Sequence, residues 1–164
     1  MEFNEKQIQN KLILLSSHIK GIKLIQEFSV PNIEEVNKSR RFDVIQIFNN
    51  YVLVIEIKKN TIDLETVSIT LGDKNYIELA KKFFNKEIYF IFTSPKDKGI
   101  SPKANNLIKL IPNVNYLDIE SIFNNLYLEY VNQLPKEAKW RSKKIYEEFS
   151  PFITIHPNSL NLQL

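Results

Sequence analysis

The chain of 164 residues contains no cysteine, only two histidines and only three glycines. Each scarcity closes off a class of chemistry. Without cysteine there is no disulfide framework, no thiol nucleophile and no zinc ribbon. His18 and His156 are too few and too far apart in sequence to suggest a His-based metal site. Any metal would therefore be a hard cation ligated by oxygen. No apolar run approaches the roughly twenty residues that a membrane span needs. The segment 1–7 carries Glu2, Glu5 and Lys6 with no apolar core behind it, so neither a signal nor a transit peptide is expected. The chain reads as a cytoplasmic protein with no membrane partner.

What is present points to one folded domain. A length near the commonest domain size, with 43% hydrophobic residues, can bury a core without a staple. Lys and Arg number 22 against 19 Asp and Glu, a net charge of +3. That mild excess does not by itself establish nucleic-acid binding.

Ile8, Leu12, Leu15 and Ile19 recur at helical spacing and predict a helix over 4–20, with Asn4 as N-cap, Gln7 in a capping-box position and Gly21 as the stop. A strand is expected over 22–30 and a loop over 32–39. Segments 41–48 and 51–59 read as a hairpin turning at Asn49-Asn50, because Asn tolerates the left-handed conformation of two-residue turns. A helix over 62–85, weakened by Gly72, leads to a nearly all-apolar strand over 87–93. Ser101 and Pro102 mark the start of a short helix. A strand over 115–118, a helix over 120–132, a charged helix over 136–149 and an irregular tail from Pro151 complete the order. This is an α/β sandwich with a mixed sheet.

The hairpin carries the chemistry. A turn at Asn49-Asn50 sets Asp43 opposite Glu56, with Cβ atoms about 4.5 to 5.5 Å apart. Alternation puts Arg41 and Lys58 on the same face, together with Ile45, Ile47, Val52 and Val54; Phe42, Val44, Gln46 and Phe48 take the other. Two carboxylates side by side in a largely buried sheet repel each other and lose hydration. A divalent cation such as Mg²⁺ removes that objection, and a neighbouring lysine could orient a water and counter phosphate charge. A two-by-two ion-pair cluster of Asp43, Glu56, Lys58 and Arg41 accounts for the same residues.

The strings RRFDVIQ and VLVIEIKK resemble the D…(D/E)-x-K signature of the PD-(D/E)XK nuclease superfamily. The nuclease domains of NucS-like and RecB-type endonucleases are the nearest likeness. It extends from Asn4 to Asp118 and includes IYFIFTSPKDKGISPKANNLIKL, which echoes a strand followed by "P…S…A…L". The resemblance implies a restriction-endonuclease-like sandwich, a central mixed sheet flanked by helices, and a nuclease-like core over 1–120. The segment 121–164 is then a C-terminal helical extension packed on that core. It also implies a Mg²⁺- or Mn²⁺-dependent deoxyribonuclease, an endonuclease more than an exonuclease. Asp43 and Glu56 would ligate the metal with the backbone carbonyl of Ile57, Lys58 would be the catalytic lysine, and Glu5 would be the acid at the start of the first helix. Glu5 also reads as a first-turn acid favoured by the helix dipole. Lys38, Arg40, Arg41 and Lys59 are candidate phosphate contacts to DNA.

Two departures stand out. The family's Gln on the helix after the lysine is replaced by Gly72, although Tyr76 follows at the expected spacing. The chain also begins almost directly with the nuclease helix, so the N-terminal DNA-binding and dimerisation domain of NucS-like proteins is not expected in it. In the 136–149 helix, Lys136, Lys139, Trp140, Arg141, Lys143 and Lys144 could grip a phosphate backbone, with Trp140 stacking on a base. A solvated surface helix with i,i+4 pairs Glu137–Arg141 and Lys144–Glu148 is the favoured reading. The apolar C-terminal helices could dock a second copy as a homodimer. A catalytically inactive nucleic-acid-binding or assembly protein of nuclease fold is the alternative function, and an RNA-directed nuclease or toxin a third.

Overall fold

Asn4 opens the first helix with a reciprocal cap: its side chain accepts the Gln7 N–H at 2.8 Å, and the Gln7 side chain accepts the Asn4 N–H at 2.9 Å. The computed structural model of the chain describes residues 3–31, 39–73 and 75–160. Helix α1, Glu5–Ser17, buries Ile8, Leu12 and Leu15 on one stripe. The chain then turns at Gly21, whose φ of +94° is left-handed, and enters strand β1, Lys23–Pro31. The loop expected over 32–39 lies mostly outside the described residues, and Lys38 lies outside them as well.

Strand β2, Ser39–Ile47, pairs antiparallel with β1 and with β3, Tyr51–Ile57. The β2–β3 register is the expected one: Val44 opposes Ile55, Ile45 opposes Val54, and Ile47 opposes Val52. The turn closes with Phe48 N–H donating to the Tyr51 carbonyl at 2.9 Å. Neither Asn49 nor Asn50 has positive φ, so the left-handed turn predicted from them is not the one used. Strands β4, Glu87–Thr93, and β5, Val114–Tyr116, follow in parallel, completing a five-stranded mixed sheet in the order β1-β2-β3-β4-β5.

Two expected helices are broken. Over 62–85, Ile62 instead forms a bridge with Ile100, α2 covers only Leu64–Ser68, and a π-helical turn, Ile69–Asp73, follows. The chain then passes through left-handed Asn75 into α3, Tyr76–Phe84. β-Branched Ile69 and Thr70 next to Gly72 give the middle of that segment little helical preference. Helix α4, Pro102–Lys109, starts as expected, with Ser101 accepting the Ala104 N–H at 3.2 Å. Helix α5, Ile119–Gln133, precedes a 3₁₀ turn, Lys136–Ala138, and only then comes α6, Arg141–Glu148. Pro135 begins that tight turn, and Lys139 Nζ reaches back to the Val131 carbonyl near the end of α5 at 2.6 Å.

Helices cover both faces of the sheet. On one, Leu12 and Leu15 of α1 meet Val44, Ile55, Phe123, Tyr127, Phe149 and Phe152. On the other, Ile45, Val52, Val54, Phe90 and Phe92 meet Val67, Ala80, Ala104 and Ile108 from α2, α3 and α4. Phe42 departs from the predicted alternation. It packs with the Ile45 cluster, its ring edge-on to Tyr76 at 4.9 Å, so β2 has rotated by the time it reaches Asp43. Among the described residues no helix is long and apolar enough to cross a membrane.

Candidate functional site

The β2–β3 pairing ends at Val44 and Ile55. In a continuing ladder of that register the Ile57 N–H would go to the Phe42 carbonyl. Instead it donates to Oδ2 of Asp43 at 2.8 Å. The strand ends are thus tied by a carboxylate, and the Ile57 carbonyl falls outside the β2–β3 ladder. On its other side β3 stays paired, with Lys58 N–H donating to the Thr93 carbonyl at 2.9 Å.

Asp43 and Arg41 face a shallow, open cavity of about 510 Å³. Its opposite wall is the start of α1, with Asn4, Glu5, Lys6 and Gln9, and Lys59 closes the end. The predicted common face of Arg41, Asp43, Ile45 and Ile47 therefore does not hold: the rotation at Phe42 turns Arg41 and Asp43 toward α1, while Ile45 stays in the opposite core. Glu5 does more than complement the helix dipole, since its Oε1 accepts the Lys59 N–H at 3.2 Å and joins α1 to the end of β3.

Glu56 is buried, at 7% exposure, and its Oε1 lies 3.6 Å from Lys58 Nζ. These two residues pair with each other beside the cavity rather than lining it. The Asp43 carboxyl is raised from its ordinary value, chiefly by burial. The Ile57 N–H and the charges of Lys58 and Arg41 pull it down, while the Glu5 carboxylate pushes it further up. Asp43 is thus the point on which Glu5, Arg41 and Lys58 all act. Arg40 lies in β2 opposite Val30 of β1.

Gln9, like Lys6, is a wall residue that the sequence pattern did not single out. It is only 5% exposed and stands one helical turn beyond Glu5, next to Ile8 on the buried side of α1. An amide on an apolar stripe four residues after a candidate acid was the available signal.

Among the described residues no group of three or more His, Asp or Glu side chains is gathered as a metal centre. The donor set at the strand ends is nevertheless one that suits a hard cation. It offers a buried carboxylate, Glu56, a partly buried one, Asp43, and a backbone carbonyl, all oxygen, beside an open cavity for water. Burial already disfavours the charge on Asp43, and a cation is the group that would offset it.

No family model matches the chain, and no curated protein matches it in sequence. Its structure is similar to that of a repair endonuclease from Pyrococcus abyssi, with a TM-score of 0.51 and 20% identity over 72% of this chain and 47% of the endonuclease. It is also similar to AF1548, a protein of unknown function, with a TM-score of 0.54 and 11% identity over 90% of this chain and 95% of the other. EndoMS in its apo form aligns with a TM-score of 0.49 and 17% identity over 72% of this chain and 47% of that one. The chain spans about half the length of the Pyrococcus endonuclease it matches, at 47%. At such identities the likeness is one of fold, and the mixed five-stranded sheet between two helical layers is the PD-(D/E)XK nuclease-like fold that the sequence resemblance implies.

Proposed function

We propose that the chain is a divalent-metal-dependent deoxyribonuclease, acting as an endonuclease on phosphodiester bonds. The observation that carries this reading is the Asp43–Ile57 hydrogen bond, which ends a sheet ladder on a part-buried carboxylate beside the Glu56–Lys58 pair. Asp43, Glu56 and the Ile57 carbonyl would hold Mg²⁺ or Mn²⁺. Such a cation supplies Lewis acidity toward water and offsets negative charge on phosphate. Lys58, half-exposed, keeps an ammonium where it can orient a water or hold a proton. Arg41 and Lys59 put positive charge on the cavity rim, where a phosphate backbone would approach, and Glu5 fixes the rim to α1.

The test is cleavage of plasmid, single-stranded and branched DNA with Mg²⁺, with Mn²⁺ and with EDTA. Metal-dependent cutting that disappears in Asp43→Asn supports the reading. Binding of DNA with no cutting in either metal overturns it in favour of a non-catalytic DNA-binding or assembly role.

A further inference from the structure

Beyond the far end of β2 from Asp43, past Ile47 and roughly 13 Å along the strand, the turns that flank the sheet enclose a second cavity, of about 280 Å³. Its walls come from three places in the chain: Gly21 to Lys23 where β1 begins, Ile47 to Asn49 where β2 ends, and Lys86 just before β4. Each wall is held separately. The main chain at Lys20 is clamped by the side chain of Gln133, the last residue of α5: the Lys20 N–H donates to Gln133 Oε1 at 2.8 Å, and Gln133 Nε2 donates to the Lys20 carbonyl at 3.1 Å. Gly21 then turns with its left-handed φ, and a Cβ built there would meet nothing within 4 Å, so this side of the cavity is open space. The Phe48 ring is stacked on Tyr51, with centroids 4.4 Å apart. Left-handed Asn85 leads the chain out of α3 into Lys86, whose Nζ donates to the Phe48 carbonyl at 3.1 Å. Walls fixed before a ligand arrives lose little freedom on binding.

The charges point to the ligand. A lysine ordinarily keeps its ammonium in water. That of Lys86 is part-buried and oriented by a carbonyl, a bond that uses only one of its three donors. Lys23 adds a second, exposed ammonium to the wall. Neither lysine is in a salt bridge among the described residues. Glu87, next to Lys86 in sequence, is engaged elsewhere: its Oε1 accepts from Asn113 Nδ2 at 3.2 Å and from the Tyr89 hydroxyl at 3.5 Å. Ile22, Ile47 and Phe48 make the rest of the lining largely apolar. We propose that this cavity binds a small phosphate monoester, with the phosphate on Lys23 and Lys86 and a compact aromatic or aliphatic body on Ile22, Ile47 and Phe48. Two ammonium groups match the charge of such a phosphate at neutral pH, and their hydrogen bonds to it are charge-assisted. The volume lies just under the usual range for drug-sized ligands, about 300–1,000 Å³, which limits the organic part to a single small ring or a short chain. The cavity shares no residue with the one at Asp43, so it is independent of the cleavage proposed there.

The test is a titration of the isotope-labelled full chain with phenyl phosphate in EDTA, followed by amide NMR. The amides of Gly21, Asn49 and Lys86 should shift saturably, with an affinity at least about tenfold above that of inorganic phosphate, because only the ester covers the apolar wall. Phenol, which has the ring without the charge, should give no saturable shift. Lys86→Met and Lys23→Met each remove one ammonium while keeping an unbranched stem, and each should weaken phenyl phosphate at least about fivefold. Lys86→Met also loses the bond to the Phe48 carbonyl, whereas exposed Lys23 makes no such bond, so its variant reads the charge alone. Lys109→Met, at the exposed end of α4, should bind as wild type does. Absence of a saturable shift at these amides, or wild-type affinity in Lys23→Met, overturns the proposal. So does inorganic phosphate binding as tightly as the ester, which would mean an adventitious ion only. Displacement of phenyl phosphate by a terminally phosphorylated oligothymidylate overturns it too, by assigning the cavity to the end of a polymer.

Discussion

Oδ2 of Asp43 accepts the backbone N–H of Ile57 at 2.8 Å, so a carboxylate sits where the β2–β3 ladder would otherwise continue. The bond ties the ends of β2 and β3 together beside the cavity at the start of α1. It does so with a group whose charge is poorly compensated by its surroundings.

The first prediction concerns Asp43→Asn in metal-free buffer. Burial raises the folded-state pKa of Asp43 above its unfolded value. Between those two values the folded chain holds more protons than the unfolded one, so stability falls as pH rises through that window. Above the window the buried charge is a standing cost. Asn is neutral throughout, and its Oδ1 can still accept the Ile57 N–H. Melting from acid to neutral pH should therefore show a variant at least as stable as wild type at neutral pH, with the difference fading in acid. In a separate assay with Mg²⁺ or Mn²⁺ added, DNA cleavage should be lost in the variant. A variant that melts lower at neutral pH would mean that the carboxylate is a structural anchor.

Lys58→Met tests the other half of the site. Its ammonium lies 3.6 Å from Glu56 Oε1 but is part-exposed, so removing the charge should cost about 1 kcal/mol or less in denaturant unfolding. Cleavage should fall by about 10²–10⁴-fold if the ammonium assists proton transfer. Lys58→Arg should not restore the rate, because a planar guanidinium does not reproduce a compact ammonium. Single-turnover rates for the three proteins decide the matter, and full activity in the Met variant would remove Lys58 from the site.

Glu5→Gln separates a structural acid from a functional one. Glutamine keeps an oxygen to accept the Lys59 N–H, now bonded to Glu5 Oε1 at 3.2 Å, but it carries no charge. Loss of a first-turn acid from α1 costs within about 1 kcal/mol. The melting temperature should therefore barely move while cleavage drops at least about tenfold, as expected when a supporting group of a metal site is changed. Wild-type cleavage by the Gln variant, with loss in Glu5→Ala, would assign Glu5 to joining α1 and β3 alone.

The hairpin register could be read in the sequence because period-two alternation and a two-residue turn together leave one numbering, and Val44 does oppose Ile55. The turn chemistry was less legible: Asn49-Asn50 reaches the right pairing without left-handed backbone. Ser101 and Pro102 announce α4 by a local rule, and the structure obeys it. The rotation of β2 at Phe42 was hidden, because alternation assumes a strand whose faces persist, and the Phe42–Tyr76 contact joins residues far apart in the chain. Gln9 was hidden for the same reason, since its place opposite Asp43 depends on how α1 lies across the sheet. The break before Arg141 comes from Lys139 and Pro135 satisfying backbone groups that helical periodicity does not register.

Two glycines should respond to alanine with opposite signs. Gly72 lies in the Ile69–Asp73 turn with ordinary negative φ, and a Cβ built there meets nothing within 4 Å. Gly72→Ala therefore removes freedom from the unfolded chain at no steric cost and should raise stability by about 0.4–1 kcal/mol. Gly21 has equal space around it, but its φ of +94° strains any L side chain. Gly21→Ala should lower stability by about 1 kcal/mol or more. Urea unfolding of the two variants checks both signs at once. A destabilised Gly72→Ala would show that the turn between α2 and α3 needs glycine after all.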